Sequence, residues 1–135
     1  MLEKAEMNIS DIHILLVDDN ELNLDVAKEL LESEGARVTT AWNGKEALDI
    51  FADEKVGTFD VIIMDIMMPV MNGLEATKSI RQLNKKDAQS IPIIAMTANA
   101  FREDIQKSLD AGMNEHISKP VDIETIKMVI HKCLS

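Results

Sequence analysis

Five side chains are set apart by what precedes them. Asp18-Asp19 directly follows the apolar run Ile12–Val17, Asp65 follows Val61–Met64, Thr97 follows Ile91–Met96, and Lys119 follows Glu115–Ser118. If these runs are neighbouring strands of one parallel sheet, all five groups reach its carboxyl edge, where open α/β sheets bind ligands. Three carboxylates in one crevice repel at neutral pH unless a cation neutralises them. The donor set is oxygen only, with no adjoining His or Cys, which favours Mg2+, with Mn2+ admissible, over zinc. Lys119 adds a second positive charge and Thr97 a hydroxyl. A divalent cation and an ammonium together neutralise phosphoryl oxygens, and a carboxylate such as Asp65 can then act as the nucleophile towards phosphorus. Taken singly these are ordinary residues in a chain with 24 acids and 14 bases. Their joint placement at four strand ends carries the reading.

Positioning them requires strands and crossovers. A fifth run, Val38–Trp42, ends in Trp42-Asn43 and offers no charged group. The runs are four to six residues long and rich in β-branched side chains, and three are apolar on both faces, as in a parallel sheet covered on both sides. Helical patterns lie between them. The first begins near Asn20, a good cap, and stops before Gly35. The second starts after Asn43 and carries Ala47, Leu48 and Phe51. The third follows Asn72-Gly73 with Leu74, Thr77, Ile80 and Leu83. The fourth runs from about Asn99 to Leu109, and the last starts at Asp122 with Ile123, Ile126, Ile130 and Leu134 on one face. The pattern predicts a doubly wound, flavodoxin-like α/β fold: a five-stranded parallel sheet with five helices and right-handed crossovers. If strand two is pushed to an edge, the four contributing strands are neighbours, which is compatible with order 2-1-3-4-5.

The length of 135 residues predicts one domain, here 11–135, preceded by an extension over 1–10. The net charge of −10 argues against a nucleic-acid partner, which would demand a basic patch, and against an anionic membrane surface. Residues 1–67 hold 16 acids and 5 bases, a balance of −11, whereas 68–135 hold 8 acids and 9 bases, a balance of +1. One cysteine, Cys133, excludes an internal disulfide and fits a reducing, cytoplasmic setting. No run is long enough to insert in a membrane, and the acidic first residues are unlike a signal peptide. The aromatics, Phe51, Phe59, Phe101 and Trp42, are too few for a flavin site.

The segments LLVDDNELN at 15–23, AWNGKEAL at 41–48, DVIIMDIMMPVMNG at 60–73, PIIAMTANA at 92–100 and AGMNEHISKP at 111–120 together resemble the receiver domain of two-component response regulators, over essentially residues 11–135. Their wording looks most like receivers of hybrid histidine kinases or detached single-domain relatives. The resemblance implies a phosphoprotein signalling module in which Asp65 is the phosphoacceptor. Asp19 and Asp65 would hold Mg2+ directly, Asp18 through water, and Met67 through its backbone carbonyl. Lys119 would pair with the phosphoryl group. Thr97 would move towards it, and the backbone amides of Met67 and Ala98 would meet its oxygens. A cis Lys119–Pro120 peptide is implied as well. The donor would be a histidine kinase or a histidine phosphotransfer protein, and a downstream protein partner would read the change.

One position departs from the common receiver pattern. Three residues before the lysine an aromatic is usual, and here His116 stands as the switch candidate beside Thr97. At about 100° per residue, the apolar residues of the first helix span about 200°, against about 100° needed for core packing. One edge of helix 20–34 is therefore expected to remain exposed as a docking surface for the phosphodonor, with Leu24 taken as its test position. Met64, Met67, Met68 and Met71 are candidates for a soft partner-facing patch, although packing is the simpler role for Met64. Three rivals stand against this reading. A magnesium-dependent aspartate-nucleophile phosphatase would need a second acid where Met67 stands. A flavodoxin would need a hydroxyl-rich phosphate loop where Asp18-Asp19 stands. A degenerate receiver acting as a scaffold would lack part of the set Asp18, Asp19, Asp65, Thr97 and Lys119.

Overall fold

The computed structural model describes residues 8–98, 102–119 and 122–134. Ten elements follow in strict alternation: β1 His13–Val17, α1 Glu21–Ser33, β2 Arg37–Ala41, α2 Gly44–Asp53, β3 Val61–Asp65, α3 Gly73–Arg81, β4 Ile93–Thr97, α4 Arg102–Ala111, β5 Glu115–Ser118 and α5 Ile123–Leu134. All strand pairs are parallel, in the order β2-β1-β3-β4-β5. The chemistry of the strands explains that order. Every residue of β3 and β4 is buried, and all of β1 except His13, so these three take the centre. The half-polar β2 (RVTTA) and β5 (EHIS) take the edges.

Two apolar layers cover the sheet. One joins Leu15, Val17, Ile62 and Met64 to Phe51 of α2 and Ile80 of α3. The other joins Ile14, Leu16, Ile63 and Met96 to Leu31 of α1 and Ile130 of α5. Ile9, in the stretch read as an extension, is buried in this second layer. Alternate residues of each strand feed opposite layers, as a pleated strand requires.

Helix starts follow their caps. The side chains of Asn20, Asn43 and Asn72 accept from the backbone N–H groups of Asn23, Glu46 and Glu75. Glu75 reaches back to the Asn72 N–H and completes a capping box. α1 stops before Gly35, whose φ of +91° favours a residue without a side chain.

The structure corrects several boundaries. β2 ends at Ala41 rather than Trp42, and β4 begins at Ile93 rather than Ile91. The reason for β4 is local: Pro92 lacks the N–H that a ladder needs. α3 closes at Arg81, so Leu83 packs from the following turn rather than from the helix. α4 extends to Ala111, and the proposed start at Asn99 lies outside the described residues.

Candidate functional site

The strand register brings the acidic groups together. Val17 of β1 stands opposite Met64 of β3, so the residues that follow them, Asp18 and Asp65, emerge at the same edge. Asp65 in turn pairs with Met96, one residue before Thr97, and Thr97 pairs with Ser118, one residue before Lys119. The Lys119 N–H donates to the Thr97 carbonyl at 2.8 Å, which continues the β4–β5 ladder to the lysine. The strand order reverses between β1 and β3, where doubly wound sheets open their ligand crevice.

Carboxylate oxygens of Asp18, Asp19 and Asp65 lie within 4.8 Å of one another. Asp18 and Asp65 are buried, at 2% and 5% exposure, whereas Asp19 is exposed. The Lys119 ammonium bridges the two buried acids, 3.1 Å from Asp18 Oδ2 and 3.2 Å from Asp65 Oδ2. The Met67 N–H donates to Asp65 Oδ1 at 3.3 Å, and the Asn20 N–H donates to Asp18 Oδ1 at 2.9 Å. Burial pushes the Asp65 carboxyl above the ordinary aspartate value, and the neighbouring Asp18 adds to the rise, against the pull of Lys119. Burial alone would lower the Lys119 ammonium, but Asp65 and Asp18 outweigh it and hold the pKa above the ordinary lysine value. The two shifts have one origin: Asp18 and Asp65 are both out of water and share the Lys119 ammonium.

The β3–α3 loop turns back onto the end of β3. Gly73 donates its N–H to the Ile66 carbonyl at 2.9 Å. A Cβ at Gly73 would run into the Asp65 carbonyl oxygen and meet Ile66 Cα at 3.0 Å. Only glycine lets α3 start this close to the strand end that carries Asp65.

Thr97 is buried at the end of β4, Ala98 is exposed just beyond it, and Met67 is 78% exposed on the rim. The half-buried His116 pairs with Ala95, which belongs to the layer opposite α1 and α5. It lines a cavity of about 270 Å3 with Ile105, Ser108, Leu109 and Met113 beside α4. The Lys119–Pro120 peptide and Asn99 lie outside the described residues. Of the four candidate methionines, Met64 and Met68 are core, Met71 is half-buried and Met67 alone faces solvent, so these four form no continuous patch.

α1 supplies a clear correction. Leu24 is buried at 7% and packs with Ala27 and Leu31 in the core, so it is not the exposed edge. The exposed edge is the opposite one, Leu22 at 71% and Val26 at 46%. These two, with Asn23, Ala27 and Met96, line a cleft of about 480 Å3 that runs to Asp18 and Lys119.

The pattern of the response regulator receiver domain matches residues 14–131. The chain belongs to that family. Hybrid signal transduction histidine kinase I of Dictyostelium discoideum is 38% identical over 120 residues, which are 87% of this chain but 7% of that kinase. The aerobic respiration control sensor protein ArcB of Escherichia coli is 35% identical over 96% of this chain and 16% of its own length. A 14.6 kDa protein of Leptolyngbya boryana is 39% identical over 94% of both chains. This receiver domain thus spans a small part of the kinases it resembles. Among solved structures, the receiver domain of a sensor histidine kinase from Pseudomonas aeruginosa, with a magnesium ion coordinated in its active-site cleft, superposes with a TM-score of 0.82 at 34% identity, covering 93% of this chain and 98% of that one. A chemotaxis protein of Vibrio cholerae superposes at 0.84 and 30% identity, covering 93% and 100%.

Sequence reading missed one polar network on the α4 side of the fold. The Arg81 guanidinium, at the end of α3, donates to the Gly112 carbonyl at 2.8 and 3.1 Å, to the Ala88 carbonyl at 3.0 Å and to Asn114 Oδ1 at 2.9 Å. It pins the turn after α4 to α3. Two of its partners lie 31 and 33 residues away in sequence, so no local pattern signals it.

Proposed function

We propose that this receiver accepts a phosphoryl group on Asp65 from a phosphohistidine donor, in a Mg2+-dependent reaction, and passes the change to a downstream protein. One observation carries the proposal: a buried aspartate whose oxygens are held by Lys119 and the Met67 N–H, with two further carboxylates close by. An oxygen-only set of three acids suits a hard divalent cation. Asp19, Asp65 and the Met67 carbonyl would hold Mg2+ directly, and Asp18 would hold it through water. When bound, the ion supplies charge neutralisation at the phosphoryl oxygens.

The protein's own groups do the rest. An Asp65 carboxylate oxygen attacks phosphorus, the P–N bond breaks, and the donor imidazole leaves with the electron pair and takes up a proton. Lys119 holds one phosphoryl oxygen, and the Met67 and Ala98 amides meet the others. Thr97 turns towards the new anion, and His116 repacks in the cavity beside α4, which biases α4 and β5 between two arrangements. The exposed Leu22–Val26 edge of α1 is the docking surface for a histidine kinase or phosphotransfer protein. Residues 11–135 make up the module, with Ile9 of the preceding stretch packed onto it, and it works in the cytoplasm as a phosphoacceptor rather than a turnover enzyme.

Intact-mass analysis with acetyl phosphate tests the central step. A mass gain of one phosphoryl group is expected in the wild type with Mg2+, and none without metal or in Asp65→Asn. An equal gain in Asp65→Asn would move the acceptor elsewhere.

A further inference from the structure

Five of the exposed large apolar side chains lie on helix α1 or on the loops at the carboxyl edge of the sheet: Leu22, Val26, Trp42, Met67 and Val70. Two of them, Trp42 and Val70, stand on the side opposite α1. Trp42 is 60% exposed at the end of β2, and Val70 is 82% exposed in the loop after β3. Their loops form one platform, because the Gly44 N–H donates to the Met71 carbonyl at 2.9 Å.

Val70 is the more telling. Its φ is +69°, a region that a β-branched residue enters only at a cost. At 82% exposure it gains little from burial within the fold, and glycine or asparagine would adopt this turn more cheaply. A strained, solvent-facing valine therefore points to something outside the chain.

The surroundings specify what. A cleft of about 320 Å3 runs from Val70 along α2 past Glu46, Asp49, Ile50 and Asp53. Its one base, Lys45, is held by Asp49 at 2.9 Å. Across the pocket, Leu22 is flanked by Asp19, Glu21 and Asp25. Both rims thus present apolar side chains beside acids. The Asp65 side chain is only 7% exposed, so a protein donor must lower its histidine into the pocket and rest its surface on these rims.

We infer that Trp42 and Val70 form a second anchor for the phosphohistidine protein, opposite Leu22 and Val26, and that the donor surface around its histidine is apolar with a basic fringe. The inference rests on the phosphoacceptor reading above and adds the partner's footprint and charge. Exposed tryptophans make strong interface anchors, and charge complementarity speeds encounter.

The test compares the wild type with Trp42→Ala/Val70→Gly. The protein donor is whichever phosphohistidine protein of the source organism labels the wild type fastest, and acetyl phosphate is the small-molecule control. We expect kcat/KM with the protein donor to fall about tenfold or more, and acetyl-phosphate labelling to stay within about twofold, because the pocket itself is untouched. Added salt should slow wild-type transfer from the protein donor. Val70→Gly alone should not lower the melting temperature. Unchanged transfer in the double variant would overturn the anchor, as would an equal loss with both donors or a melting temperature lowered in Val70→Gly. Transfer insensitive to salt would overturn the basic fringe. If acetyl phosphate labels Asp65 but no phosphohistidine protein does, the donor class fails and this inference with it. If neither labels it, the phosphoacceptor reading itself has failed.

Discussion

The two ends of the same sheet treat polar groups in opposite ways. At the amino end, the His13 ring sits between the Thr58 carbonyl at 3.0 Å and the Thr39 hydroxyl at 2.8 Å, with Phe59 4.6 Å away. The His13 N–H donates to Asp60 Oδ2 at 2.8 Å, and the Asp60 N–H returns to the His13 carbonyl at 2.8 Å. Each group there has a partner from the chain. At the carboxyl end, three carboxylates crowd together, two of them on Lys119, and burial raises Asp65 above its ordinary pKa. Self-sufficient polar groups serve the fold. Crowded, under-neutralised ones are kept at a cost to stability and suit a ligand that brings positive charge.

Three substitutions sharpen this contrast. Lys119→Met leaves Asp18 and Asp65 buried without their cation, and should cost about 3 kcal/mol of metal-free stability in urea melts, the usual scale for breaking a buried pair. Added Mg2+ should restore much of it, because one cation then stands in for another. His13→Ala removes two hydrogen bonds and a ring contact, and should cost about 1–3 kcal/mol. Acetyl-phosphate labelling should not change in that variant, and a change would mean that the two ends are coupled.

The third effect is smaller and depends on pH. A carboxyl whose pKa is higher in the folded than in the unfolded state contributes stability below the unfolded value, and loses it as pH rises through the folded value. Metal-free Asp65→Asn should therefore melt above the wild type at neutral pH. The gap should close as pH falls through the raised Asp65 value towards 3.8. Thermal melts of both proteins across that range check it, and a gap that widens towards acid would contradict the assigned direction.

Much of the site was legible because it depends on chain order. An apolar run fixes where a strand ends, and the residue after it must stand at the sheet's edge, which placed Asp18, Asp65, Thr97 and Lys119 together. Helix α1 was only half legible. Helical periodicity gave the width of its apolar arc, but not which edge the sheet would cover, so Leu24 stood in for Leu22 and Val26. The positive φ of Val70 and the long-range reach of Arg81 have no local sequence signal. The first is set by a tight turn in which the Met71 N–H donates to the Pro69 carbonyl at 2.7 Å across Val70, and the second by the packing of α3 against the turn after α4.

The most direct measurement is the melting temperature of the unmodified protein titrated with Mg2+ at constant ionic strength, beside Asp65→Asn. A ligand that binds only the folded state stabilises it in proportion to the logarithm of its concentration. The wild type should rise steadily with Mg2+ once the site saturates, and the variant, lacking one of the three carboxylates, should respond far less. Equal responses, or none in the wild type, would mean that the acidic pocket does not hold the cation.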